Sequence, residues 1–329
     1  MLALHSCTAA RGKAAVDLSA AALPSGIVWI DLMQATADEV AYVERAIELK
    51  LPTYESLSEI ESSSRMRTEG GAIFLSTPVV FRAESGEPKA TPVGFVLTPD
   101  FLVSVRFEAL TAFATFEERA AKPKGVHPSS AGAFVGLAEA MVDRMADVLE
   151  RVGGELDEVS HRVFRADAEV SRRRPAAEGA DLREVLRRVG RCGDLASKIR
   201  DSLLGIGRIV PYVTGMAADW LPGEVKPHLR TLHQDIVSLT DYDHHLTNKV
   251  QLLLDATLGL INTEQNNIIK VLTVVSVVGV PPTLVASMYG MNFHVMPELS
   301  WSWGYPFGLA LIALSAVGPL VWFKLRGWL

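Results

Sequence analysis

Apolar and polar positions follow three successive rhythms along this chain. Over residues 1–125 the pattern is mixed. Ile27 to Leu32 reads as a buried strand, and Val40, Val43, Ala46, Ile47 and Leu51 keep the spacing of a helix face. Ala72 to Phe81, Thr91 to Leu97 and Phe101 to Arg106 read as strands, the last two joined by the turn signal Thr98-Pro99-Asp100. Tyr54 to Ile60 predicts a short helix, Ser62 to Glu69 an edge strand and Phe107 to Ala121 a helix, while Met1 to Gly26 shows no regular pattern. A mixed α/β domain is expected.

Beyond Pro128 the period becomes helical, giving a second region over 126–227. Phe134, Ala138, Met141, Met145, Val148, Val152, Leu156, Val159 and Val163 form one stripe at spacings of three and four. Arg172-Arg173-Arg174-Pro175 breaks it as a solvated hairpin tip, Glu178-Gly179 is turn-like, and Leu182 to Val210 is helical again up to a turn at Trp220-Leu221-Pro222-Gly223. From His228 no proline appears until Pro281. Leu229, Leu232, Ile236, Leu239, Leu246, Val250, Leu253 and Leu260 make a heptad-like seam with gaps at Asp243 and Thr257. A single helix from His228 to Tyr289 would be roughly 90 Å long, too long to be buried in one small domain. It predicts a stalk over 228–270 that packs against copies of itself and enters a membrane.

The third rhythm is continuous. Val271 to Tyr289 and Tyr305 to Phe323 are uncharged apolar runs of about 19 residues, enough to cross a hydrocarbon core of roughly 30 Å. The loop over 290–304 lacks Lys and Arg, whereas Lys270, Lys324 and Arg326 flank the spans. By the positive-inside rule the loop lies outside, and the N-terminal region and the 324–329 tail are cytoplasmic. Trp301, Trp303 and Tyr305 would form the outer aromatic belt, Trp322 and Trp328 the inner one. Within the first span Thr273, Ser276, Thr283 and Ser287 fall within roughly 80° of arc, with Val280 among them and Asn266 near the same stripe. Two readings of the stripe stand: hydroxyls bonded to their own i−4 carbonyls at a close helix contact, or a pore wall built from several copies. Pro281 and Pro282 predict a kink.

Tyr289-Gly290-Met291-Asn292 ends the first span, Met296-Pro297-Glu298-Leu299 follows, and Trp303-Gly304-Tyr305-Pro306 opens the second. In this arrangement the chain resembles the CorA family of divalent-cation channels, closely over about Leu253 to Leu329 and more loosely upstream. Met291, where the zinc-transporting branch typically has Ile, favours the magnesium branch. The resemblance implies a pentamer with a filter ring of Gly290, Met291 and Asn292. Oxygens there would contact the hydration shell of Mg²⁺, an ion that dehydrates reluctantly. It also implies pore-facing Asn266, Leu272, Thr273, Ser276, Val280, Thr283 and Ser287, with Leu272 and Val280 as apolar constrictions. Asp255 would gather cations at the inner mouth and Glu298 at the outer one. His294 stands where many relatives carry Glu, and His ligates Co²⁺, Ni²⁺ and Zn²⁺ readily. Relatives also carry two acids early on the stalk that help intracellular Mg²⁺ close the channel. Thr231 and Gln234 occupy those places here, leaving Asp235, Asp241 and Asp243 as substitutes, and His244-His245 as a possible transition-metal pair.

Composition narrows the alternatives. With 329 residues, 49% hydrophobic and a net charge of −6, the chain suits a soluble region plus a small membrane portion. Met1 to Leu23 has no continuous apolar core of a signal peptide, so the N-terminal region is expected in the cytoplasm, beneath the inner (plasma) membrane. Cys7 and Cys192 give no disulfide framework. Nucleotide-binding glycine loops, nucleophile elbows and zincin spacings do not occur, so neither an enzyme nor a nucleic-acid partner is expected. The expected fold is an α+β membrane protein: a cytoplasmic mixed domain, a long helical stalk and two C-terminal spans. The expected function is passive influx of Mg²⁺ by a homo-oligomer in lipid. The alternatives are a Zn²⁺, Co²⁺ or Ni²⁺ transporter of the same family, and a membrane-tethered scaffold or sensor.

Overall fold

The computed structural model describes residues 1–6, 18, 22–59, 61–84, 87–120, 129–165, 175–291, 294 and 296–328. The chain divides into two compact units. One comprises Met1–Ser171 and Glu184–Leu254, the other Arg172–Arg183 and Asp255–Leu329.

The first unit is built on a six-stranded sheet of β1 (Leu2–Ser6), β2 (Ile27–Met33), β3 (Met66–Glu69), β4 (Ala72–Phe81), β5 (Lys89–Leu97) and β6 (Leu102–Arg106), in the order β1-β2-β6-β5-β4-β3. Only β2 and β6 run parallel; every other neighbouring pair is antiparallel. Alternation along β2 assigns its two faces. Ile30 and Leu32 join Tyr42, Val43 and Ile47 of α1 (Ala37–Ile47) and Leu57 of α2 (Tyr54–Leu57) in one apolar cluster. Thr36 and Glu39 close a reciprocal capping box that fixes where α1 starts. Trp29 and Asp31 point the other way. Trp29 Nε1 donates to Ser104 Oγ at 2.9 Å, Ser104 Oγ donates to Asp31 Oδ1 at 2.6 Å, and Arg106 Nη2 donates to Asp31 Oδ2 at 2.7 Å. The Arg106 guanidinium lies 4.6 Å from the Phe113 ring centroid, so this buried ion pair is satisfied on every side.

That second face is covered by α4 (Thr111–Ala120), α5 (Ser130–Arg165) and α6 (Pro175–Met216). Close approach depends on two glycines. A Cβ on Gly136 would lie 2.3 Å from the Phe116 ring, and one on Gly205 would lie 2.2 Å from Thr77 Oγ1 of β4. The fourth long element is α7 (Val225–Tyr289), a 65-residue helix that begins in the first unit and ends in the second.

Four sequence expectations change. Leu2–Ser6 is a strand rather than irregular chain. Ser62–Arg65 forms a helical turn, α3, so only Met66–Glu69 is the edge strand. Glu178 and Gly179 lie inside α6, which starts at Pro175. The seam on α7 is buried within its own chain. Leu229, Leu232, Ile236, Leu246 and Leu253 are all covered. Cβ atoms on Gly153 of α5 and on Gly193 and Gly207 of α6 would touch Tyr242, Val250 and Ile236. A heptad period says that a face is covered, not by whom. Up to Leu253 the covering helices are α5 and α6 of the same chain, while Leu260 beyond them is half-buried. The predicted Arg172–Arg174 tip and Cys7 lie outside the described residues.

Candidate conduction pathway

Among the described residues, two helices are long and apolar enough to cross a membrane: α7, through its C-terminal part, and α8 (Gly304–Leu325). On α7 the helical assignment continues through Pro281 and Pro282. Both lack a backbone N–H, so the carbonyls of Val277 and Val278 lose their usual i+4 donors. The polar stripe is displayed, not packed away. Asn266, Ser276, Thr283 and Ser287 are exposed and Thr273 is half-buried. Thr273 Oγ1 donates to the Ile269 carbonyl at 2.8 Å, Ser276 Oγ to Leu272 at 2.8 Å and Thr283 Oγ1 to Gly279 at 2.8 Å. These hydroxyls bond back to their own helix and still present their oxygens outward, so the two sequence readings of the stripe are compatible. Leu272 and Val280 are exposed among them.

The helix ends in a tightened turn. Gly290 N–H donates to both Ala286 O at 3.0 Å and Ser287 O at 3.2 Å, and Met291 N–H donates to Met288 O at 3.3 Å. Gly290 and Met291 are exposed there; Asn292 lies outside the described residues. Past it, His294 is exposed, and a 3₁₀ turn over Pro297–Ser300 is held by Ser300 Oγ donating to Pro297 O at 2.8 Å. The Glu298 side chain is outside the described set. Exposed Trp301, Trp303 and Tyr305 lead into α8, with Trp301 packed on Phe307 at 5.8 Å between ring centroids. At the far end of α8, Phe323 stacks on Trp328, and Arg326 lies over Trp322.

Of the acids expected along α7, Asp235, Asp241 and Asp255 are exposed. Asp243 is not. It is fully buried, and Arg200 Nε of α6 donates to its Oδ2 at 2.6 Å, while Arg200 also reaches Thr247 Oγ1. The gap in the seam is therefore an internal ion pair, not an acid on a solvated stalk face. Its Oδ1 has no hydrogen-bond partner among the described residues. Nearby, Lys249 Nζ donates to Asp157 Oδ1 at 2.5 Å, and that bond holds Asp157 below the usual carboxylate range. His228 Nδ1 sits 2.9 Å from Glu139 Oε1, and His244 and His245 are exposed. Among the described residues no three His, Cys, Asp or Glu side chains gather as a metal site. Sequence reasoning missed Arg200; the signal was an acid interrupting an apolar seam opposite a basic helix.

The family model for CorA-like Mg²⁺ transporter proteins matches residues 24–325. The chain belongs to the CorA family. Magnesium transport protein CorA of Escherichia coli K12 is 32% identical over 302 residues, 92% of each chain, and CorA of Salmonella typhimurium LT2 is equally similar. Among solved structures, the complete CorA magnesium transporter of Methanocaldococcus jannaschii superposes with a TM-score of 0.68 at 17% identity, covering 92% of this chain and 91% of that one. The full-length CmaX protein gives 0.66 at 17% identity, covering 96% and 91%. At those identities the structures establish the CorA fold, with its mixed sheet, long helix and two C-terminal apolar helices. The family is one of transporters.

Proposed function

We propose that this chain assembles as a homo-oligomer, a pentamer as the family resemblance implies, and passes Mg²⁺ down its electrochemical gradient through the inner (plasma) membrane. The carrying observation is the polar stripe displayed along an apolar helix of spanning length, in a chain of this family. Lipid gives no reason to gather exposed Ser276, Thr283 and Ser287 on one face of a span, whereas a water-filled path between helices does, and Asn266 continues that face toward the cytoplasm. In this reading residues 1–125, 126–227 and 228–270 are cytoplasmic, 271–289 and 305–323 span, and 290–304 lies outside. Gly290, Met291 and Asn292 ring the outer end of the path. Leu272 and Val280 narrow it, and Asp255 and Glu298 attract cations to its two mouths. A membrane potential supplies the drive: at about 2.3 kcal/mol per charge per 100 mV, a divalent ion gains about 4.6 kcal/mol.

Flux into proteoliposomes, with Mg²⁺, Co²⁺, Ni²⁺ and Zn²⁺ in parallel, tests this reading. Wild-type protein is expected to admit Mg²⁺, and Asn292→Ala to abolish uptake while the oligomer stays assembled. Near-normal uptake by an inserted Asn292→Ala protein would remove Asn292 from the filter. No flux of any ion would leave the scaffold reading.

A further inference from the structure

Within the second unit a cavity of about 380 Å³ opens where the first span begins, in the size range of small-ligand sites, about 300–1,000 Å³. Thr263, Asn266, Asn267, Lys270 and Thr273 of α7 line one side, and Trp328 of the C-terminal tail closes the other. The two threonine hydroxyls already donate to the Gly259 and Ile269 carbonyls. The remaining donors are unused: the Lys270 ammonium, the Asn266 and Asn267 amides and the Trp328 indole N–H form no hydrogen bond among the described residues. Lys324 and Arg326 lie on the same tail. The nearest acid in sequence, Glu264, projects roughly 120° around the helix from Lys270. The site is therefore cationic, rich in donors and walled by an indole.

We propose that this cavity seats the phosphate of an anionic phospholipid from the cytoplasmic leaflet. Lys270 and the two amides would bind the phosphate oxygens, while the Trp328 ring lies along the glycerol backbone, as tryptophan does at the level of the headgroups. That leaflet is the negatively charged one, and juxtamembrane basic groups are attracted to it. A free inorganic phosphate would use the donors but not the indole wall; a lipid uses both. Around the helix, Lys270 and Asn267 lie to one side of the Thr273–Ser287 stripe, and Asn266 and Thr273 border both surfaces. The inference rests on the two-span reading, with Lys270 on the cytoplasmic side.

The test adds dioleoylphosphatidylglycerol or dioleoylphosphatidylcholine to full-length protein in neutral detergent and counts retained lipid by native mass spectrometry. Wild-type protein is expected to retain phosphatidylglycerol at least fivefold over phosphatidylcholine. Lys270→Gln should remove that preference, Lys270→Arg should keep it, and Trp328→Ala should reduce it. Equal retention of the two lipids, or an unchanged preference in Lys270→Gln, would overturn the proposal. Displacement of phosphatidylglycerol by equimolar inorganic phosphate would overturn the lipid as the occupant. If Lys270→Gln does not fold, the two-lipid comparison on wild type decides alone. Mg²⁺ flux from the same preparation separates the readings, because flux without lipid preference sinks the lipid seat and leaves transport standing.

Discussion

Arg200 and Asp243 show how much a single pair can depend on where it sits. Asp243 is wholly buried, so removing its partner leaves a charge with nothing to offset it, at a cost of about 3–5 kcal/mol. Arg200→Ala is expected to lower the melting temperature of the purified protein sharply. Asp243→Leu combined with Arg200→Met, which completes the apolar seam, should recover most of that loss; a double variant as unstable as Arg200→Ala would refute the explanation. By contrast Lys249–Asp157 joins an exposed acid, and Lys249→Ala should scarcely move the melt at neutral pH. The depressed Asp157 carboxyl contributes its stability above the unfolded value and loses it as pH falls through the lower folded value. Cys192 is buried on α6, and burial pushes its thiol up to about 12. At pH 8 only about one molecule in ten thousand carries the thiolate there, against roughly one in four for a free cysteine. In a Cys7→Ser background, maleimide should therefore label Cys192 only after denaturation. Rapid labelling of the folded protein would show that the helix pair opens.

At the scale of elements, legibility followed the length of the pattern. The apolar stripes of α5 and α7 repeat over many turns, and their helices lie where the period put them, to within a few residues. Strand β1 was hidden. It has five residues on the sheet edge, with only Ala3 buried, and its partner lies some 25 residues away. Up to Leu253 the seam of α7 was read correctly as a buried face and assigned to the wrong neighbour, since spacing carries no information about the partner. Helix α6 approaches β4 only because Gly205 has no side chain. Gly205→Val is expected to cost about 1–3 kcal/mol by overpacking, read as a lowered melting temperature with an unchanged oligomer. A Gly205→Val protein that melts like wild type would show that β4 and α6 can separate at no cost.

At the scale of the whole molecule, the chain ends and the loop test the membrane reading. In intact cells a cysteine placed at Ser300 should react with an impermeant reagent and one at Arg326 should not; the reverse pattern would place the Gly290 turn inside. In the proposed channel, closure by internal Mg²⁺ would need acids that neighbouring subunits can share. With Asp243 committed to Arg200, only Asp235 and Asp241 remain exposed among the three substitutes. Inhibition is expected to need more internal Mg²⁺ than in relatives with both usual acids, and to vanish in the Asp235→Asn, Asp241→Asn double variant. Current recorded while internal Mg²⁺ is stepped through the millimolar range checks this. Strong inhibition that survives the double variant would put the sensor elsewhere. The tightened turn at Gly290 and Met291, where the proposed filter would sit, was legible from the short Gly290-Met291-Asn292 run, since a turn that ends a helix is a local feature. The lipid cavity was not, because it joins α7 to a tail some 60 residues further along the chain.

The hydroxyls along α7 point their protons inward, toward the helix backbone. Thr273, Ser276 and Thr283 each have a single proton, and each gives it to the backbone four residues earlier. What faces away from the helix is therefore the negative end of each O–H dipole. Repeated around a closed ring of helices, such a wall solvates the positive poles of water and the water shell of a cation. Those three hydroxyls offer chloride no hydrogen to hold. Discrimination by sign of charge would thus be present without any acidic residue in the span, and it would persist at a pH low enough to neutralise every carboxylate at the mouths.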